Sequence, residues 1–149
     1  MDIKKVLVAG SGVLGSQIAF QTAFYGIKVS VYDINEEALE KAKERLTGLK
    51  ANYQEDLGAT QEAVDTAYDR LSLYTDLAEA VKDVDLVIEA VPEVIDIKKA
   101  FYENLSKVAP QNTIFASNSS TMIPSQLVEF TGRPEKFLHL HFANRIWLN

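Results

Sequence analysis

Three glycines and an aspartate carry the first chemistry available to this chain. Gly10, Gly12 and Gly15 close the apolar run Val6-Leu7-Val8-Ala9 in a Gly-x-Gly-x-x-Gly turn. That spacing suits a dinucleotide pyrophosphate. Gly10 permits the tight turn, Gly12 admits the phosphates to the backbone with no Cβ in the way, and Gly15 lets the next helix pack close to the strand. The head of that helix offers unpaired N–H groups and the positive end of its dipole to an anion. Asp33 ends the next apolar run, about twenty residues on, where the ribose is read in such sites. A carboxylate there accepts from both adenosine-ribose hydroxyls and repels a 2′-phosphate, which favours NAD over NADP. No Arg follows Asp33 within the turn, and that points the same way. The plain alternative is a glycine turn with an N-capping Asp that binds nothing. The strand before, the helix after and the acidic residue beyond the second strand supply the context the motif needs.

Three further clusters fall at the ends of apolar runs. Glu89-Ala90-Val91-Pro92-Glu93, with Lys98 beyond, stands where open α/β sheets bind ligands. Its backbone turn could pass the nicotinamide ribose, with Glu93 or Lys98 reaching the hydroxyls. Residue type alone favours a strand end with a solvated first helical turn. Ser117-Asn118-Ser119-Ser120-Thr121 offers five consecutive hydroxyl or amide side chains to a carbonyl or hydroxyl ligand. It is equally a polar loop, since Ser and Asn dominate turns. In His139-Leu140-His141-Phe142-Ala143-Asn144, a strand would put both histidines on one face and Leu140 and Phe142 on the other. A histidine at a strand end can take a proton near neutral pH. Residue type alone favours a hydrogen-bonded structural role for both. Two imidazoles at i and i+2 without a third ligand make a poor metal site.

The elements that must position these groups alternate along the chain. Strands are predicted at 3–9, 28–32, 71–74, 85–91, 113–116 and 137–142, and the Val/Leu-rich run of the first, without polar alternation, suits a parallel strand buried on both faces. Helices are predicted at 13–25, ended by Gly26, and at 36–49, capped by Asn35. Others fall at about 60–68, 76–81, 94–108 and 125–130. Ile97, Phe101, Leu105 and Val108 form the apolar stripe of the helix that Pro110 stops. Alternating strands and helices imply right-handed crossovers, so the fold class is α/β, a doubly wound, mainly parallel Rossmann-type sheet with helices on both faces. No linker, low-complexity segment or solenoid-scale repeat interrupts it.

Composition sets outer limits. The 149 residues are 47% hydrophobic and 24% charged, about one domain's worth of ordinary globular chain. Net charge is −6 with no Lys/Arg cluster, which argues against nucleic acid or an anionic membrane as partner. The absence of cysteine excludes disulfides, thiolate metal sites and cysteine catalysis. Lys4-Lys5 with the run after it loosely resembles a secretory leader. Glycines break that run and no Ala-x-Ala site follows, so a cytoplasmic location is expected. No other apolar run is long enough for a membrane span.

Four segments in order resemble the NAD-dependent L-3-hydroxyacyl-CoA dehydrogenases, including the 3-hydroxybutyryl-CoA dehydrogenases. They are Val-Ala-Gly-Ser-Gly-Val-Leu-Gly at 8–15, Glu-Ala-Val-Pro-Glu at 89–93, Phe-Ala-Ser-Asn-Ser-Ser at 115–120 and Leu-His-Phe-x-Asn at 140–144. The resemblance covers the whole chain as that family's N-terminal NAD-binding domain, without its helical second domain. It implies that Gly10, Ser11, Gly12, Val13, Leu14, Gly15 and Asp33 hold the ADP half of NAD. Ala90, Glu93, Lys98 and Asn118 would line the nicotinamide side. Ser120 would hydrogen-bond the substrate oxygen and approach the cofactor. His141 would be the general base for the 3-hydroxyl, and Asn144 would help hold the substrate. His139 matches no catalytic position. The implied reaction takes a 3-hydroxyacyl-CoA and NAD to a 3-oxoacyl-CoA and NADH, in fatty-acid β-oxidation, by a homodimer in the longer protein.

The chain also departs from the family. Arg145-Ile146-Trp147-Leu148 replaces Pro-Val-Pro, which leaves Trp147 to reshape the pocket mouth. The acidic partner of the histidine falls beyond Asn149 in the family pattern, so the isolated chain is expected to turn over poorly. Residues 142–148 are expected to form an apolar patch prone to self-association. Two other classes stay open. One is a free-standing NAD-binding module, or a dehydrogenase of another 3-hydroxy acid such as carnitine or gulonate. The other is a purely structural α/β module that binds no NADH.

Overall fold

The computed structural model describes residues 2–149. Six strands form one parallel sheet: β1 (Lys5–Ala9), β2 (Lys28–Tyr32), β3 (Leu71–Tyr74), β4 (Leu86–Glu89), β5 (Ile114–Ser117) and β6 (Phe137–His139). Their order across the sheet is β3-β2-β1-β4-β5-β6. From β1 the chain winds outward one way through β2 and β3, then returns to the other side of β1 and winds outward through β4, β5 and β6. The direction therefore reverses between β1 and β4, and the loops leaving their C-terminal ends part there to open a crevice.

Five helices cover the sheet: α1 (Val13–Phe24), α2 (Glu36–Leu57), α3 (Gln61–Asp69), α4 (Leu77–Ala80) and α5 (Ile95–Val108). β1 shows why both faces need cover. Val6 and Val8 belong to the core beneath α1–α3, while the alternate residues Leu7 and Ala9 belong to the core beneath α4 and α5. The doubly wound architecture read from the sequence is the one observed.

Several elements differ from expectation. The second helix runs to Leu57 instead of 49. Gly48 is absorbed inside it because Leu46, Leu49 and Tyr53 keep an inward stripe going. The left-handed Gly58 (φ +66°) ends it. The helix expected at 125–130 is two 3-10 turns, Pro124–Gln126 and Val128–Phe130. The last strand stops at His139, so His141 leaves the sheet and does not share a strand face with His139. On α5 the buried residues are Lys98, Phe101, Tyr102 and Leu105, while Ile97 and Val108 are exposed. The inward stripe is thus turned onto a lysine, and the site explains why.

The segment after β6 does not form the expected apolar patch. Ile146 and Trp147 are each 8% exposed and join the α1–α3 core. Trp147 stacks on Tyr53 with ring centroids 5.6 Å apart, and its indole N–H donates to Asp56 at 2.8 Å. Of that segment's large apolar residues, Leu140 and Leu148 are left exposed. Trp147 therefore packs on the helical layer and lies off the crevice.

Candidate active site

The glycine turn is built by exclusion. A Cβ on Gly10, whose φ is +98°, would lie 2.4 Å from the Ala90 carbonyl oxygen, so this turn presses directly against the β4 loop. A Cβ on Gly15 would lie 1.9 Å from the Gly10 carbonyl oxygen. A Cβ on Gly12 would meet nothing within 4 Å and would project into open space. Gly12 is also the N-cap of α1, and the first helical bond recorded there runs from Ser16 N–H to the Gly12 carbonyl at 2.9 Å. The N–H groups ahead of Ser16 lack intrahelical acceptors and face that space. No acidic side chain occupies the first turn. The cradle fits a pyrophosphate: bare backbone donors, a positive helix end and no Cβ in front of them.

Asp33 is fastened beside it. Its Oδ2 accepts from Ser11 N–H at 2.9 Å and from the Ser11 hydroxyl at 2.6 Å, and its Oδ1 accepts from Ile34 N–H at 2.8 Å. Both lone pairs of Oδ2 are thus taken, and Oδ1 keeps one acceptor site free. The turn after Asp33 contains no Arg, as read. However, α2 brings Arg45 back, and its guanidinium donates to the Ser11 carbonyl at 3.1 Å.

One cavity of about 840 Å³ occupies the crevice. The loop Gly10–Gly15 and Asp33 line it together with Ala90, Glu93, Asn118, Ser120 and His141. Lys98 and Asn144 are the two expected site residues outside the lining. Asn144 instead accepts from the Gln17 side chain at 2.8 Å, and Gln17 accepts from Arg145 N–H at 2.8 Å. These bonds tie the end of the chain to α1.

Lys98 is fully buried and its three protons are all engaged. The ammonium donates to Glu89 Oε2 at 2.5 Å and to the Val91 carbonyl at 3.0 Å, and pairs with Glu93 Oε1 at 2.9 Å. Glu89, also fully buried, accepts further from Val91 N–H, the Tyr102 hydroxyl and the Ser117 hydroxyl. Losing one member of such a pair leaves an uncompensated buried charge, at about 3–5 kcal/mol. This is why α5 turns Lys98 inward. Burial, with the Glu89 charge beside it, pushes the Tyr102 phenol well above its usual range. Burial works to raise the Glu93 carboxyl too, but the Thr121 and Ser119 hydroxyls and the Lys98 ammonium outweigh it and bring it down to about 2.

The polar run after β5 divides its labour. The Ser117 hydroxyl goes to Glu89, and those of Ser119 and Thr121 go to Glu93. Asn118 Oδ1 accepts from Phe142 N–H at 2.8 Å, which fixes the segment carrying His141. Ser120 and His141 are exposed to the cavity. His139 points elsewhere: its Nε2 is buried without a hydrogen-bond partner among the described residues, and burial lowers its pKa below the usual 6.5.

The sequence reading missed one wall of the cavity. Tyr32, Ile34 and Leu77 face Ile97, Phe101 and Asn104 of α5 across it. The available signal is the apolar stripe Ile97/Phe101, which reads as core-facing; Phe101 does join the core, but Ile97 stays 45% exposed and both line the cavity. An apolar slot beside Asp33 suits a flat heteroaromatic base.

Comparison with known proteins gives a consistent result. Residues 5–148 match the 3-hydroxyacyl-CoA dehydrogenase NAD binding domain. The mitochondrial hydroxyacyl-coenzyme A dehydrogenase of Rattus norvegicus is 35% identical over 149 residues, covering 97% of this chain and 48% of the relative. The chain therefore spans about half the length of the curated relatives it matches. Among solved structures, a diketoreductase described in terms of dual catalysis of dicarbonyl compounds superposes with a TM-score of 0.97. It is 55% identical, over 100% of this chain and 53% of that one. The 3-hydroxybutyryl-CoA dehydrogenase of Escherichia coli superposes with a TM-score of 0.92 at 31% identity, over 99% of this chain and 31% of that one. Among the described residues no helix is long and apolar enough to cross a membrane.

Proposed function

Because the chain belongs to the 3-hydroxyacyl-CoA dehydrogenase family as its NAD-binding domain, we propose that it holds NAD in the crevice between β1 and β4 and supplies Ser120 and His141 to a dehydrogenase reaction. The observation that carries this reading is the shared cavity: Ser120 and His141, more than a hundred residues beyond the glycine turn, line the same space. In this reading the head of α1 holds the pyrophosphate, Asp33 accepts from the ribose, and the slot between Ile34 and Phe101 takes the adenine. Bound NAD supplies the acceptor for the hydride that leaves C3 of a 3-hydroxyacyl substrate. The Ser120 hydroxyl hydrogen-bonds the oxygen on C3, and His141 removes its proton as general base. In the reverse direction protonated His141 returns that proton to the 3-oxo oxygen.

A second substrate class is favoured by two observations. Acidic Asp33 and Glu93 line the cavity, and no Lys or Arg lines it among the described residues. The identity to a diketoreductase, at 55%, exceeds that to the hydroxyacyl-coenzyme A enzyme, at 35%. Both suit a small uncharged dicarbonyl compound better than a polyanionic thioester.

Titration of the chain with NADH tests cofactor binding directly, and calorimetry without heat or saturation would refute it. Assaying NADH oxidation by this chain joined to a segment corresponding to the second half of its relatives separates the substrates. Turnover of acetoacetyl-CoA supports the thioester reading. Turnover of a free β-dicarbonyl ester with none of the thioester supports the second. NADH binding with neither activity would favour a non-enzymatic binding module.

A further inference from the structure

The loop between β5 and the 3-10 turns is held by one carboxylate. Glu93 Oε2 accepts from the Ser119 hydroxyl at 2.7 Å and from the Thr121 hydroxyl at 2.7 Å. Glu93 Oε1 pairs with Lys98 at 2.9 Å. Two hydroxyls at i and i+2 are held on a single oxygen, and the chain bends at residue i+1 between them, which leaves that side chain outside the clamp. Residue i+1 is Ser120, which lines the cavity, whereas Ser119 and Thr121 do not. The Ser119 hydroxyl is itself fixed, since its oxygen accepts from Met122 N–H at 3.0 Å.

We infer that Glu93, clamped by Lys98, is a positioning residue that aims Ser120 into the cavity through the hydroxyls of Ser119 and Thr121. This rests on the reading of Ser120 given above. Hydrogen-bond capacity supports the role. A carboxylate oxygen has two lone pairs, and both sites on Oε2 are taken. The Lys98 ammonium, with three donors and three partners, cannot reach a ligand without abandoning one of them. Both residues are thus committed to joining the β4 loop to the β5 loop, across the place where the nicotinamide end of the cavity closes. Glu93 keeps only part of Oε1 for any direct contact.

Two measurements on this chain test the inference. The first is amide hydrogen exchange of Ser119 and Met122 without cofactor, in Thr121→Val, Thr121→Ser and Glu93→Gln. Thr121→Val removes a charge-assisted bond from an exposed side chain, so the fold is kept. It should speed exchange of the Met122 amide by about tenfold, Glu93→Gln should do the same, and Thr121→Ser should restore the slow rate. Unchanged exchange in Thr121→Val overturns the inference whether or not NADH binds. The second is NADH titration of the same variants and of the Glu93→Gln/Thr121→Val double variant. The expected result is weakening by Thr121→Val, with the double variant no worse than the more severe single one. If Glu93→Gln weakens NADH and Thr121→Val leaves it unchanged, Glu93 acts on the cofactor directly and the positioning role is refuted. An unsubstituted chain that fails to bind NADH would instead refute the proposed function, and the exchange measurement would still decide the positioning role.

Discussion

Alanine at Gly12 and at Gly15 should separate binding from stability. Gly12 has φ −66° and ψ −165°, backbone that any residue adopts, and its Cβ would meet no atom within 4 Å. Replacing Gly by Ala at an N-cap costs about 0.5–1 kcal/mol, and the lower entropy of the unfolded chain returns about 0.4–1 kcal/mol. The net change is near zero, so Tm should move by less than about 2 °C. The new methyl group would nonetheless stand in the space where the phosphates meet the backbone. Losing one or two amide bonds to a charged group, at about 1.5–3 kcal/mol each, should weaken NADH at least tenfold. Gly15 is the opposite case. Its Cβ would lie 1.9 Å from the Gly10 carbonyl oxygen, a backbone atom that moves only if the turn moves. Overpacking of that kind costs about 3 kcal/mol or more, a fall in Tm on the order of 6–12 °C for a chain of this length. Differential scanning calorimetry and NADH fluorescence titration on the two variants give both numbers. NADH affinity unchanged in Gly12→Ala, or a Tm loss equal to that of Gly15→Ala, would refute the account of the turn.

Three further outcomes follow from the packing and charges. Asp33→Ala should weaken NADH, because it removes both the proposed ribose acceptor and the anchor of Ser11; unchanged affinity by titration would take Asp33 out of the cofactor site. Trp147→Ala should cost about 3–5 kcal/mol in urea unfolding, because the ring is 8% exposed against Tyr53 and bonded to Asp56, and a loss under about 1 kcal/mol would contradict that packing. Burial lowers the His139 pKa below 6.5, with Glu89 and Glu93 opposing and Lys98 reinforcing the shift. The folded state then disfavours the imidazolium, so this contribution to stability is present above 6.5 and lost as pH falls below it. The Tm of His139→Gln should fall less than that of the unsubstituted chain between pH 7.5 and 5.5, and parallel curves would argue against it.

Much of the fold was legible because its signals are local. All six strands stand near the places read for them in the sequence, the clearest being the apolar runs at 3–9 and 85–91, and the glycine turn and the Glu89–Glu93 turn fall at strand ends as read. The errors have physical causes. The sequence reading ends α2 at Leu49, just past Gly48, but the cost of one glycine is smaller than the gain from burying Tyr53 beyond it. The sequence carries the last strand to Phe142 because residue type does not reveal that Phe142 N–H bonds Asn118 instead of a strand. The exposed patch expected at 142–148 vanished because the partners of Trp147, Tyr53 and Asp56, lie about ninety residues away in α2.

The α5 stripe shows where such reading must fail. A lysine between two apolar positions reads as surface, since a charged side chain is rarely buried unless paired. Its partner Glu89 lies nine residues earlier, on a different element, and also reads as surface. Only when β4 and α5 meet do the two charges satisfy each other, and the helix then rotates so that Ile97 is released to the cavity wall. The same holds for Ser119, Ser120 and Thr121. Their side chains have like chemistry, and nothing local says which one faces a ligand. Glu93 makes the choice from 26 residues away by taking the outer two. The cofactor half of the site is thus written in backbone chemistry at adjacent positions, where glycine spacing suffices to read it. The half that would meet substrate is written in pairings between distant side chains, and it becomes legible only once the sheet has brought them together.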